Sequence, residues 1–256
     1  MGNALVDILM MLKSDDLLHQ LRLPKGSMQL INEAKMREIQ EATILLDQHV
    51  ATGGSVSNTI SGLARLGVDV GFIGKIGNDS IGDFFKVDSF ENGVLTYLLG
   101  SQLPSGRCHV LISPDSERTM CTYLGAASDL RATDLHERMF SDFDVLHIEC
   151  YLVENRELML RTAEMAKAAN MKLSLDLASY NVVESNLDFL REFVKNYVDI
   201  VFANAEEAFA MIKSMSNATH DVITSVCFKT AHSSTLLHDI TKVTFNDLSD
   251  EAILYY

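Results

Sequence analysis

The stretch Thr52-Gly53-Gly54-Ser55-Val56-Ser57-Asn58-Thr59-Ile60 leads into Ala64-Arg65-Leu66-Gly67. Gly74-Lys75-Ile76-Gly77-Asn78-Asp79-Ser80-Ile81-Gly82 follows soon after. Two glycines ahead of a helix let backbone approach a ligand with no Cβ in the way, and the helix N-terminus behind them favours polar groups. Asn58, one turn in, can donate to and accept from hydroxyls of the same ligand. A Gly-Gly helix entry taken alone is also ordinary turn chemistry. Gly67 closes the helical run at C′. Residues 68–73 then read as a strand and residues 80–86 as a short helix.

Working outward, residues 4–11 are short and apolar and read as a buried strand. Residues 17–31 alternate loosely around Pro24-Lys25-Gly26-Ser27, which predicts a hairpin. Residues 32–46 have helical spacing behind an Asn32 N-cap. Residues 108–113 and 119–124 are strand-like and joined by Pro114-Asp115-Ser116-Glu117, good turn chemistry. From Asp129 strands and helices alternate, which implies βαβ units and a parallel sheet covered on both faces. The expected fold class is α/β, a doubly wound and mostly parallel sheet in a single core domain over 1–256. Two β-rich insertions, about residues 14–32 and 95–124, are expected to form a small β-sheet lid over the ligand crevice.

The formal charge of −14 (21 basic against 35 acidic residues) repels phosphate backbones and anionic lipid, which argues against nucleic-acid or membrane partners. Cys108, Cys121, Cys150 and Cys227 form no CxxC pair, so reduced core thiols and a cytoplasmic location are expected. Residues 1–12 lack the basic region of a signal peptide, and no apolar run approaches the ~18 residues of a membrane span. GxGxxG, Walker A, HExxH and GxSxG are all absent.

The glycine-led run resembles the N-terminal signature of the ribokinase-like (PfkB) carbohydrate and nucleoside kinases: a Gly pair, Asn four residues after the second Gly, a helix ending Leu-Gly, then Gly-x-Asp-x-x-Gly. Gly54 to Asn58 and Gly77 to Gly82 match it. Gly2-Asn3-Ala4-Leu5-Val6-Asp7 is similar to the family's first-strand motif, Pro104-Ser105-Gly106-Arg107 through Glu117-Arg118-Thr119 to its lid hairpin, and His147-Ile148-Glu149 to its strand ending near the sugar. The resemblance, over about residues 2–210, implies an ATP-dependent phosphotransferase acting on a hydroxymethyl group of a small sugar or nucleoside. It places Asp7, Gly53, Gly54, Asn58 and Glu149 at the substrate. A carboxylate suits a polyol because it accepts charge-assisted bonds from vicinal hydroxyls; a strand-end turn is the alternative for Asp7, and capping of the next turn for Glu149.

Asn204-Ala205-Glu206-Glu207 matches the family's Asn-x-x-Glu, so Asn204 and Glu207 are expected at magnesium and phosphate. Helix capping by Asn204 with acids at the dipole would produce the same residues. The flavour is adenosine-kinase-like, and Tyr97, Tyr123 or Leu124 would supply an apolar slot for a base. A homodimer through the lid is a further expectation. The family's Gly-x-Gly-Asp segment, with its anion hole and catalytic base, has no counterpart, since no glycine follows Gly125. The catalytic residue is therefore unassigned, and the chain as given is expected to be inactive, with truncation or gaps preferred over degeneration. The alternative is a non-catalytic sugar- or nucleoside-binding relative.

Overall fold

The computed structural model describes residues 1–212 and 253–255. They fall into two compact units, one spanning Gly2–Leu130 and the other Arg131–Tyr256 together with Met1.

The N-terminal unit runs β1 (Leu5–Met11), α1 (Asp16–Gln20), β2 (Met28–Leu30), α2 (Glu33–Ala42), β3 (Gln48–Gly53), α3 (Ser55–Arg65), β4 (Gly71–Gly77), α4 (Ser80–Glu91), β5 (Leu95–Ser101), β6 (Gly106–Ile112) and β7 (Arg118–Tyr123). A mixed five-stranded sheet has the order β2-β7-β6-β1-β3, and β4 and β5 form a separate parallel pair. Side chains alternate along each strand, and β1 alternates half-buried and buried accordingly. Val6, Ile8, Met10, Leu111 and Cys121 belong to the unit's core with Leu18, Ile39, Phe72 and Phe85. Each such buried apolar side chain contributes roughly 1.5–3 kcal/mol relative to exposure. The Phe72 and Phe85 rings meet at 5.4 Å. The opposite face of the sheet carries Asp7.

Several expected elements are present. Asn32 caps α2 by accepting from Lys35 N at 2.9 Å, and β6 and β7 form the expected antiparallel hairpin. The hairpin over residues 17–31 does not form. Residues 16–20 are helical, and β2 pairs parallel with β7 instead. Gly26 N donates to Thr119 Oγ1 and Met120 N to Ser27 O, so a partner some 90 residues away takes the pairing. The two lid insertions correspond to the sheet only in part. β1 and β3 lie in the same sheet as the β6–β7 hairpin, while residues 95–101 pair with β4.

Asp79 ties this unit together. It caps α4 through Gly82 N at 2.9 Å and also accepts from Ser105 N, Ser105 Oγ and Arg107 at 2.9, 2.6 and 3.1 Å. Burial opposes its charge, but these bonds and the Arg107 guanidinium together hold its carboxyl below the usual range. Lys75, buried on β4, donates to Asp129 O at 2.9 Å, and Ser101 Oγ binds the Asp129 carboxylate at 2.9 Å.

In the C-terminal unit, β8 (Val145–Glu149), α5 (Arg156–Ala168), β9 (Lys172–Asp176), α6 (Tyr180–Ser185), α7 (Leu187–Tyr197), β10 (Ile200–Phe202), α8 (Ala205–Ile212) and β11 (Ile253–Tyr255) follow in order. The sheet is β11-β10-β9-β8, parallel throughout. Leu146, Ile148, Leu173, Leu175 and Val201 are all buried on one of its faces. Strand-helix alternation here is as the periodicity requires. No helix among the described residues is long and apolar enough to cross a membrane. Cys108, Cys121 and Cys150 are buried free thiols, while Cys227 and the tail segment lacking the family's glycines lie outside the described residues.

Candidate functional site

β1 and β3 run antiparallel with Leu5 opposite Gly53 and Asp7 opposite Ala51. That register puts the Asp7 side chain over Gly53. A Cβ at Gly53 would stand 2.4 Å from Asp7 Cγ and Oδ1 and 2.6 Å from Oδ2, far inside contact distance. Only glycine leaves room for this carboxylate. Burial raises the Asp7 pKa, and no donor among the described residues hydrogen-bonds its oxygens. A half-buried carboxylate without donors carries an unmet demand for hydrogen bonds.

The next residue, Gly54, has φ +94°, and a Cβ there would meet Asn3 O at 2.6 Å. It is the N-cap of α3, whose first turn closes with Asn58 N donating to Gly54 O at 2.9 Å. The exposed Asn58 side chain makes no hydrogen bond among the described residues. The structure thus brings Asp7, Gly53 and Gly54 together, with Asn58 one helical turn along. Hydroxyls donating to Asp7 would lie beside the N-terminal end of α3, the positive end of the helix dipole.

Cys108 pairs with Asp7 across β6 and Thr122 with Cys108 across β7, so both share its face. Burial and the Asp7 charge push the Cys108 thiol up to about 11, with Thr122 opposing, so it stays protonated. The expected aromatic slot is corrected in part. Tyr123 pairs with Arg107 and points to the other face, 8 % exposed, and Tyr97 lies on β5 beside Ile73. Leu124 follows β7 immediately.

In the C-terminal unit, Glu149 ends β8 and is 1 % exposed. It pairs with Asp176, the last residue of β9, which in turn pairs with Phe202 of β10. Sequence reasoning passed over Asp176. The signal available was a second strand, parallel to the first, also ending in a carboxylate. Asp176 Oδ1 accepts from Ala178 N at 3.1 Å in a turn where Ala178 has φ +63° and its carbonyl accepts from Tyr151 Oη at 3.3 Å.

Asn204 and Glu207 form a closed capping box. Asn204 N and Nδ2 donate to the two Glu207 oxygens, and Glu207 N donates to Asn204 Oδ1, each at 2.9 Å. Burial raises the Glu207 pKa, the Asn204 backbone bond opposes it, and the Asp176 and Glu206 charges add to it. Both carboxylate oxygens already have a donor. No group of three or more His, Cys, Asp or Glu side chains among the described residues is arranged to hold a metal ion. Among the described residues, Asn204 and Glu207 are bonded to each other and belong to no such group.

Residues 31–237 match the family described as pfkB family carbohydrate kinase. The guanosine-inosine kinase of Escherichia coli K12 is 27 % identical over 192 residues, covering 71 % of this chain and 44 % of that protein. The solved adenosine kinase of Sinorhizobium meliloti superposes with a TM-score of 0.73 at 29 % identity, covering 88 % of this chain and 68 % of that one. A separate 53-residue likeness, 79 % identical, is to the dTTP/UTP pyrophosphatase of Flavobacterium johnsoniae and covers 21 % of this chain and 27 % of that protein. The chain spans less than half the length of these curated relatives.

Proposed function

The chain belongs to the pfkB family of carbohydrate kinases, and from that premise we propose that it is the substrate-gripping part of an ATP-dependent kinase for a hydroxymethyl group of a small sugar or nucleoside. One observation carries this reading: the Asp7 carboxylate, half buried and without a donor among the described residues, fitted into the space Gly53 leaves open beside the N-terminus of α3. Two vicinal hydroxyls would satisfy it, and Gly54 and Asn58 are placed to meet the same ligand. Glu149 and Asp176 would act at the ends of their parallel strands, where ligands of α/β sheets collect.

Kinases of this family imply ATP as phosphoryl donor, with magnesium usual. Asn204 and Glu207, bonded to each other and with Glu207 5 % exposed, would act on the phosphate end through water. Buried thiols and an acidic surface suit a cytoplasmic location. The second reading is a sugar- or nucleoside-binding relative of the same fold that does not phosphorylate its ligand. The 53-residue pyrophosphatase likeness spans too little of those proteins to support their activity here.

A coupled ADP assay, run with ATP and candidate sugars and nucleosides, separates the two readings. It should be applied to this chain and to any longer product of its reading frame. Substrate-dependent ADP supports the kinase; calorimetric binding with no such ADP from either product supports the binding protein.

A further inference from the structure

Gly53 and Gly54 have no side chains with which to hold their own turn, and adjacent glycines lose more conformational freedom on ordering than other residues. The turn must therefore be fixed from its flanks. On one side the first turn of α3 closes onto it, through the bond from Asn58 N to Gly54 O. On the other side stands Thr52, the last side chain before the pair. It belongs to β3, an outer strand of the five-stranded sheet that is hydrogen-bonded to β1 along one edge.

Thr52 pairs with Val6, so its side chain lies on the Val6 face of the sheet, away from Asp7. There it meets α4. Thr52 Oγ1 donates to Asp88 Oδ2 at 2.6 Å, a short charge-assisted bond between two half-buried residues. The helix that carries Asp88 is itself held at both ends. Its N-cap Asp79 binds Ser105 and Arg107 at the foot of β6, and Arg65 of α3 donates to its C-cap Asn92 at 3.3 Å. Phe85, one turn before Asp88, is buried against Phe72.

A carboxylate in the last turn of a helix opposes the helix dipole, and Asp is a poor helix former, so Asp88 is unfavourable for α4 taken alone. Its bond reaches instead to the strand that ends in the glycine pair. We propose that Asp88 is a positioning residue, which acts through Thr52 from the far side of the sheet to set Gly53 against the Asp7 carboxylate. This rests on the reading of Asp7 as the hydroxyl-binding group. The fit between Gly53 and Asp7 has no slack, since it leaves no room for a Cβ. A small shift of β3 either displaces the carboxylate or opens a gap beside it, and binding groups must be held to within about 0.5 Å.

The test is calorimetric titration of this chain with adenosine, guanosine and D-ribose, repeated on variants with the tightest binder alongside their melting temperatures. Asp88→Ala and Thr52→Val should each weaken binding ~10-fold or more. Asp88→Asn keeps an acceptor and Thr52→Ser a hydroxyl, and each should recover most of that loss. The melting temperature of Asp88→Ala should stay near wild type, because alanine suits a helix and removes an acid from its C-terminal end. In an Asp7→Ala background Asp88→Ala should add less than ~3-fold, as expected of residues acting in one chain of contacts.

Unchanged affinity in Asp88→Ala, with Asp7→Ala weakened, overturns the positioning role and leaves the Asp7 reading standing. A loss that comes with a lower melting temperature, and that Asp88→Asn does not restore, assigns the bond to the fold alone and overturns the proposal. A further ~10-fold loss in the Asp7→Ala background also overturns it, because Asp88 then acts elsewhere. Asp7→Ala binding as tightly as wild type, or failure of all three ligands, overturns both readings.

Discussion

The Asp7 carboxylate occupies the space that a side chain at Gly53 would fill, with a Cβ there falling 2.4 Å from Asp7 Cγ. The two residues come from antiparallel strands, one carrying the ligand-facing charge and the other leading into the helix behind it. Gly53→Ala must displace either the carboxylate or the strand. We expect at least a ~10-fold loss of ligand affinity and a destabilisation of ~1–3 kcal/mol from overpacking. Calorimetry and thermal unfolding of the variant check both.

Asp7 also has a signature in pH. Burial raises its pKa in the folded chain, so the folded state binds its proton more tightly than the unfolded one. The cost of charging it is absent below the ordinary carboxylate range and is fully felt above the raised pKa. Asp7→Asn should therefore melt higher than wild type at pH 7, and the difference should close as the pH falls towards 3.5. A variant that melts lower at pH 7 would mean that Asp7 is stabilising the fold.

Buried His109 and half-buried His147 act in the opposite sense. His109 is lowered from 6.5 to about 4 by burial and by Arg107. His147 is lowered to about 4 by burial and the Met1 ammonium, with Asp176 opposing. Each contributes stability that is present above pH 6.5 and lost as the pH falls through about 4, up to ~3 kcal/mol per group at ~1.4 kcal/mol per pKa unit. The melting temperature of His109→Leu should fall less steeply between pH 6.5 and 4 than that of wild type.

Asp79→Ala removes a helix cap and the acceptor for Ser105 and Arg107 at one stroke. The loss should be ~2–4 kcal/mol, since a cap alone is worth about 1 and Arg107 is left buried without its carboxylate. Asp79→Asn keeps part of the cap and should recover some of that in denaturant unfolding.

How much of this could be read from residues alone follows from the range of each interaction. The glycine pair, the Asn32 cap and the strand-helix alternation after residue 129 are local patterns, and the sequence displays them. β3 was not anticipated, because Gln48-His49-Val50-Ala51-Thr52 has little strand character and is held by pairing with β1, about 40 residues earlier. β2 likewise owes its partner to a contact with β7. Tyr123 looked available to a ligand until the register turned it to the other face. The Asn-x-x-Glu spacing serves two purposes, and only coordinates show Asn204 and Glu207 bonded to each other.

The most direct test is the affinity of adenosine for wild type and for Asp7→Ala, measured by calorimetry alongside their melting temperatures. Two charge-assisted hydrogen bonds from vicinal hydroxyls predict a loss of ~10–100-fold or more with folding intact. Equal affinity in the two proteins would contradict a hydroxyl-binding role for this carboxylate.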